Sequence, residues 1–281
     1  MSSACEGCAK AGNCNEQDTC SKKNGIEKLE CNDASKIKCV IGIASGKGGV
    51  GKSFVTATLA AKLASAGLSV GIMDADITGP SIPRAFGLKG MLEVGGQDRI
   101  QPAVTDKGIK VVSLNLLLED ENSPVIWRGP VLSGLVRQFW TDVEWGMLDV
   151  LLIDMPPGTG DIPLTLFQSL PLDGLILVST PQELVSMIVA KAGNMASMMN
   201  VNILGLVENM AYTVCPHCGE KISLFGNDEV LLKEASDAGI KLLDKLPLDP
   251  SVTALVDSGN TEKVDVSDLL VNASEAVKAL V

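Results

Sequence analysis

Short, nearly continuous apolar runs recur along the chain at 40–44, 69–74, 109–116, 150–154, 175–179, 203–207 and 242–246. Runs of this length, rich in Val, Ile and Leu, suit strands covered on both faces. Between them lie stretches long enough for helices, and the residue pattern places these at 52–65, 130–142, 162–168, 183–199, 229–238 and 267–280. Strand and helix alternating in this rhythm predict βαβ units. The fold class is therefore α/β, a doubly wound, mostly parallel sheet whose ligand sits at the carboxyl ends of the strands. Methionines 187, 195, 198 and 199 read as core packing of the helix at 183–199, because flexible Met fills gaps.

Residues 1–38 break the pattern. They hold no aromatic and almost no large aliphatic residue, but carry Cys5, Cys8, Cys14, Cys20 and Cys31. Such a segment cannot offset its ordering entropy by apolar burial, so a metal orders it locally or it stays a flexible tail. The chain thus divides into a cysteine-rich appendage, 1–38, and one main domain, 39–281. Aromatics make up only 3%, so the core is aliphatic and base stacking is disfavoured. The net charge of -11 is the reverse of a nucleic-acid footprint. No apolar run approaches the roughly 20 residues of a membrane span. The first residues lack the basic and apolar regions of a secretory signal, and a cytoplasmic protein is expected. Eight cysteines, six of them before residue 40, then read as thiols and metal ligands rather than disulfides.

The chemistry begins where the first strand ends. Gly46-Lys47-Gly48-Gly49-Val50-Gly51-Lys52-Ser53 matches the phosphate loop G-x-x-x-x-G-K-S in the strand, loop, helix setting that motif needs. Its glycines let backbone N–H groups face a β-phosphate, Lys52 reaches the β and γ oxygens, and the Ser53 hydroxyl ligates magnesium. Lys47 is an addition that ordinary loops lack. Pointing away from its own loop, it can reach the nucleotide of a second subunit and offset charge there as an arginine finger does, which makes a homodimer the expected active form.

Three strand ends add carboxylates. Asp154 closes 150–153, the position from which a Walker-B aspartate holds magnesium, usually through water. Asp74 and Asp76 end another strand two residues apart and so share a face. One of them approaches magnesium and the other, Asp76, positions the attacking water. Met155-Pro156-Pro157-Gly158-Thr159-Gly160-Asp161 reads as a loop that senses the γ-phosphate, with Asp161 alternatively a helix cap.

Cys215-Pro216-His217-Cys218-Gly219 is a C-x-x-C turn with no second pair downstream. Two thiolates leave a four-coordinate site half filled, but a symmetric pair of turns at a two-fold axis supplies four sulfurs. One 4Fe-4S cluster, one bridging zinc, or a redox dithiol are the readings open at this point. His217, the single histidine, has no Ser-His or Cys-His partner motif and reads as a turn residue.

Taken together, the phosphate loop with Ser45, Asp74-Ala75-Asp76 with Gly79-Pro80-Ser81, Trp127-Arg128-Gly129-Pro130, the 154–161 loop, Glu208-Asn209-Met210 and the 215–219 turn resemble one family. It is that of the Mrp/ApbC and Nbp-type iron-sulfur carrier ATPases of the MinD/ParA P-loop class, with its deviant Walker A loop. The resemblance runs from about residue 37 to the C-terminus. It implies a homodimer that carries a labile 4Fe-4S cluster on its C-x-x-C turns, hydrolyses ATP slowly, and passes the cluster to apoproteins. It also implies that Asn209 contacts the adenine. A nitrogenase-type ATP-driven electron donor and a MinD/ParA-like positioning ATPase are the alternatives. The second is disfavoured by the acidic charge and by a C-terminus that lacks a basic amphipathic helix. Nbp-type members carry a further cysteine ahead of a C-x-x-C-x5-C element. Cys5, Cys8 and Cys14 reproduce that element, but the chain begins too soon for the leading cysteine, and Cys20, or else Cys31, becomes the fourth ligand of a second cluster. Cys39 reads as a buried structural thiol.

Overall fold

The computed structural model describes residues 28–76, 81–96, 99–117, 129–158, 160–181, 201–225 and 229–281. The helix expected at 183–199, with its methionines, lies outside the described residues, as do Cys5, Cys8, Cys14 and Cys20. The remaining elements form one sheet with helices on both faces. Its strands are β1 (Lys36–Ser45), β2 (Val70–Asp74), β3 (Ala103–Val104), β4 (Lys110–Ser113), β5 (Met147–Asp154), β6 (Gly174–Ser179), β7 (Ile203–Val214), β8 (Lys221–Ser223) and β9 (Leu242–Pro247). The order across the sheet is β3-β4-β2-β5-β1-β6-β7-β8, with β9 also on β7. All pairings are parallel except β3 with β4 and β7 with β8.

The apolar runs become the central strands because both faces are covered. On one face Trp145, Leu151 and Ile153 pack against Phe139 of α3 (Gly129–Thr141) and Leu166 of α4 (Asp161–Ser169). On the other, Ile41, Ile43 and Ile72 meet Leu59 and Leu63 of α1 (Lys52–Ser65). α1 ends where Gly67 takes a left-handed φ of 89°, its N–H bonding Ala64 O at 2.9 Å. The last three helices are α5 (Glu229–Asp237), α6 (Pro250–Asp257) and α7 (Val271–Lys278), while α2 is the single turn Ile82–Ala85.

Several elements depart from the sequence pattern. The apolar run 109–116 stays extended only to Ser113 and then turns as a 3-10 segment, Leu114–Leu117. α6 was not legible from periodicity, yet its start carries a cap. The Asp249 carboxylate accepts the N–H of Ser251 at 2.8 Å and Pro250 occupies the first turn. The C-terminal helix is shorter than 267–280 because Leu270, at φ 52°, breaks it. Strand β7 runs seven residues beyond the apolar stretch 203–207, through Glu208 and Asn209, since β9 pairs with it as far as Tyr212 and β8 pairs with Tyr212 to Val214.

Residues 28–35 do not behave as a loose tail. Leu29 and Cys31 pack against the core, Leu29 O accepts the Trp140 indole N–H at 3.0 Å, and the Asn32 amide donates to Thr141 O and Val143 O at 2.9 and 2.7 Å. A few apolar contacts and well-placed polar ones suffice to dock a segment whose composition alone argued against order.

Candidate functional site

Register decides the site. β1, β2, β4 and β5 are parallel neighbours, and their pairing places Ser113 beside Asp74, Asp74 beside Asp154, and Asp154 beside Ile43. Both carboxylates are wholly buried at the carboxyl end of the sheet, directly under the phosphate loop. That loop leaves β1 at Ser45 and enters α1 at Lys52, with Gly49 and Gly51 at φ 80° and 79°. Gly51 has a second reason to lack a side chain, since a Cβ there would stand 2.2 Å from the Asn209 amide nitrogen.

The reactive side chains converge from α1 and the strand ends. Lys52 is 5% exposed, and its ammonium lies 2.8 Å from Asp154 Oδ1 and 3.3 Å from Asp76 Oδ2. The Ser53 hydroxyl donates to Asp154 Oδ2 at 2.5 Å. Thr56, one helical turn beyond Lys52, places its hydroxyl 2.8 Å from Asp154 Oδ1. Ser113 donates to Asp74 Oδ2 at 3.0 Å. Thr56 and Ser113 were missed in the sequence. Spacing of four from Lys52 marks Thr56, but nothing local marks Ser113.

Burial pushes Asp74 up to about 8, and the neighbouring Asp154 charge adds to the shift, against the pull of Lys52 and the Ser113 hydroxyl. β2 ends at Asp74, so Asp76 reaches Lys52 from the turn beyond rather than by strand alternation. Two carboxylates, Asp154 and Asp76, meet the Lys52 ammonium, and oxygen donors of this kind suit a hard divalent cation. Among the described residues no three His, Cys, Asp or Glu side chains converge as a metal cage.

Val50 O accepts the Asn209 side-chain N–H at 3.0 Å, fixing strand β7 to the loop. Beside it opens a cavity of about 170 Å³, lined chiefly by Phe54, Met210, Leu246, Leu248 and Val256, with Gly51 at its edge. Glu208, next along β7, is buried with the Lys245 ammonium 3.5 Å away. The loop after β5 is fastened to β1, with Met155 N–H on Ile43 O at 3.0 Å and Gly158 N–H on Ser45 O at 2.8 Å. Asp161 is the first residue of α4, Gly129 begins α3, and Gly79, Pro80, Trp127, Arg128 and Thr159 lie outside the described residues.

The cysteine pair stands apart, in the hairpin between β7 and β8. Cys215 N–H bonds Glu220 O and Gly219 N–H bonds Cys215 O, each at 2.9 Å, with Gly219 left-handed at φ 75°. Cys215 is half-buried, while His217 and Cys218 are exposed. The Cys218 backbone N–H, then that of His217 and the Cys218 thiol, point at the Cys215 sulfur and hold its thiol below the ordinary range. A turn that aims N–H groups at sulfur favours thiolate and hence soft-metal ligation. Cys31 and Cys39 are of the opposite kind. Burial pushes Cys31 up to about 11, and burial with the charge of Asp173 pushes Cys39 up to about 12. Cys31 packs against the core, and Cys39 is buried as a structural thiol should be.

A phosphate loop over strand-end carboxylates in a doubly wound parallel sheet defines a P-loop nucleotide triphosphatase of MinD/ParA fold. The cell division ATPase MinD of Pyrococcus furiosus superposes with a TM-score of 0.60 over 87% of this chain and all of that one, at 20% identity. A nucleotide-binding protein from Archaeoglobus fulgidus, solved with ADP, gives a TM-score of 0.73 at 44% identity, covering 83% of this chain and 92% of that one. Within this class, a model described as NUBPL iron-transfer P-loop NTPase matches residues 36–281, and the chain belongs to that family. Similar curated proteins are named iron-sulfur cluster carrier protein. That of Clostridium perfringens is 46% identical over 92% of this chain and 94% of its own length, and that of Methanocaldococcus jannaschii 47% over 86% and 87%.

Proposed function

We propose that this protein is an ATP-dependent carrier of iron-sulfur clusters, which receives a 4Fe-4S cluster as cargo and passes it to apoproteins. The observation that carries the reading is the course of β7. One strand fixes Asn209 against the phosphate loop and leads six residues later into the turn that holds the half-buried Cys215 and the exposed Cys218. The carrier names of the similar curated proteins support it.

In this reading the loop N–H groups and Lys52 bind the phosphates of ATP, while Ser53 and Asp154, with Asp74 behind them, hold Mg2+, which lends charge to the phosphoryl transfer. Asp76 orients the attacking water. Lys47 acts on the nucleotide of a partner subunit, so that hydrolysis is slow and tied to the homodimer. The adenine lies in the apolar cavity beside Asn209. Two C-x-x-C turns meet at the two-fold axis and give four thiolates to one cluster. In the cysteine-rich N-terminal segment, 1–38, whose last residues join the main domain, Cys5, Cys8, Cys14 and Cys20 hold a second cluster. A nitrogenase-type electron donor fits less well, because its ligands come from separated loops whereas Cys215 and Cys218 share one turn. The protein acts in the cytoplasm, and among the described residues no helix is long and apolar enough to cross a membrane.

The test is iron and acid-labile sulfide per dimer, with the Mössbauer spectrum, on anaerobically reconstituted protein beside its Cys215→Ala/Cys218→Ala variant. Loss of one four-iron cluster per dimer is expected, with any remaining cluster belonging to the N-terminal cysteines. Equal iron in both proteins, or zinc in its place, would remove the carrier reading.

A further inference from the structure

Ser45 is the last residue of β1 and is 3% exposed. It makes two bonds in opposite directions. Its hydroxyl donates to Lys47 O at 3.0 Å, and its own carbonyl accepts the Gly158 N–H at 2.8 Å. One small residue therefore joins the peptide of the loop's extra lysine to the Pro156-Pro157-Gly158 loop.

The chain around Lys47 needs such a constraint. Gly46, Gly48 and Gly49 surround it, and glycine backbones sample many conformations, so the local sequence does little to direct the lysine. Gly158 meanwhile is left-handed at φ 85°, and a Cβ there would lie 4.0 Å from Gly46 O, so the two loops run against each other. The loop after Asp154 is also fastened to β1 by Met155 N–H on Ile43 O. A shift of that loop pulls on Ser45, and the Ser45 hydroxyl carries the pull to Lys47.

We propose that Ser45 is a positioning residue for hydrolysis, which holds the Lys47 backbone in register with the Pro156-Pro157-Gly158 loop so that lysine and loop move as one body. The proposal rests on the role given above to Lys47. Its chemistry is geometric, since the hydroxyl touches no reacting atom. Misplacing a catalytic group by about 1 Å is enough to cost up to about a hundredfold in rate.

The experiment compares steady-state ATP turnover and the affinity for a fluorescent ATP analogue in wild type, Ser45→Ala, Ser45→Thr and Lys47→Ala, with thermal melting of each. Ser45→Ala is expected to lower kcat about tenfold with KM and analogue affinity within twofold of wild type and melting little changed, and Ser45→Thr, which keeps the hydroxyl, to restore most of kcat. Unchanged kcat in Ser45→Ala, a parallel loss of analogue affinity, or an equal loss in Ser45→Thr would overturn the inference while leaving the role of Lys47 intact. Normal turnover by Lys47→Ala would remove the shared-site reading, and the Ser45 proposal with it.

Discussion

At the ends of β1, β2 and β5 the working side chains are buried and cross-bonded, whereas at the end of β7 they stand on an exposed hairpin. Asp74 and Asp154 have no exposed surface, and Asp154 alone is met by Lys52, Ser53 and Thr56. Cys218 is exposed, and the turn that holds Cys215 is built from its own backbone. Phosphate chemistry gains from a rigid, dry site with charge fixed in advance. A cargo that must be handed to another protein has to be reachable. The same strand serves both, being core at Glu208 and Asn209 and surface from Val214 onward.

Variants can break this contrast. The largest effect is expected from Lys52→Ala, which removes the ammonium between Asp154 and Asp76. Turnover should fall at least about a hundredfold with loss of ATP binding. Because a buried partner is lost, stability should also fall by about 3 kcal/mol, seen as a lower melting temperature. The Cys215→Ala/Cys218→Ala variant should instead melt as wild type does while losing its cluster. Equal destabilisation by both would erase the distinction between the two regions.

Two left-handed glycines sharpen it. Gly51→Ala meets both the conformational penalty of about 1–2 kcal/mol per residue and a collision with Asn209, for which overpacking adds about 1–3 kcal/mol. Gly219→Ala has open space around it and should cost only the conformational part. Urea midpoints of the two variants decide the matter, and a Gly219→Ala loss as large as that of Gly51→Ala would refute it.

A last test is a pH slope. Folded Asp74 keeps its proton up to about pH 8, while its ordinary value is 3.8, so between these the folded state binds the additional proton. Stability must then fall as pH rises through that window, the reverse of a salt-bridged aspartate. Asp74→Asn should flatten the slope between pH 5 and pH 8 in urea melts with chelator present. A slope retained in full by the variant would place its origin elsewhere.

Much of this was legible in the chain. Gly46 to Ser53 is contiguous, so its chemistry is written in spacing, and α1 begins and ends where its pattern ends. Asp154 and Asp74 were legible because a carboxylate closing a buried parallel strand lies at the ligand pole. Ser113 was not, because it reaches Asp74 only through the register of β4 on β2. Nor was the docking of residues 28–35, which depends on carbonyls of Thr141 and Val143 more than a hundred residues away.

By itself, then, the sequence determined the alternation of strand and helix, the phosphate loop and the C-x-x-C turn, since each depends on neighbours within a few residues. Only the tertiary structure decided which acids share a charge, which serine joins Lys47 to the Gly158 loop, and that Cys31 packs against the core. Those properties depend on the distances between strands and on exclusion of water, and both are set only when the sheet closes.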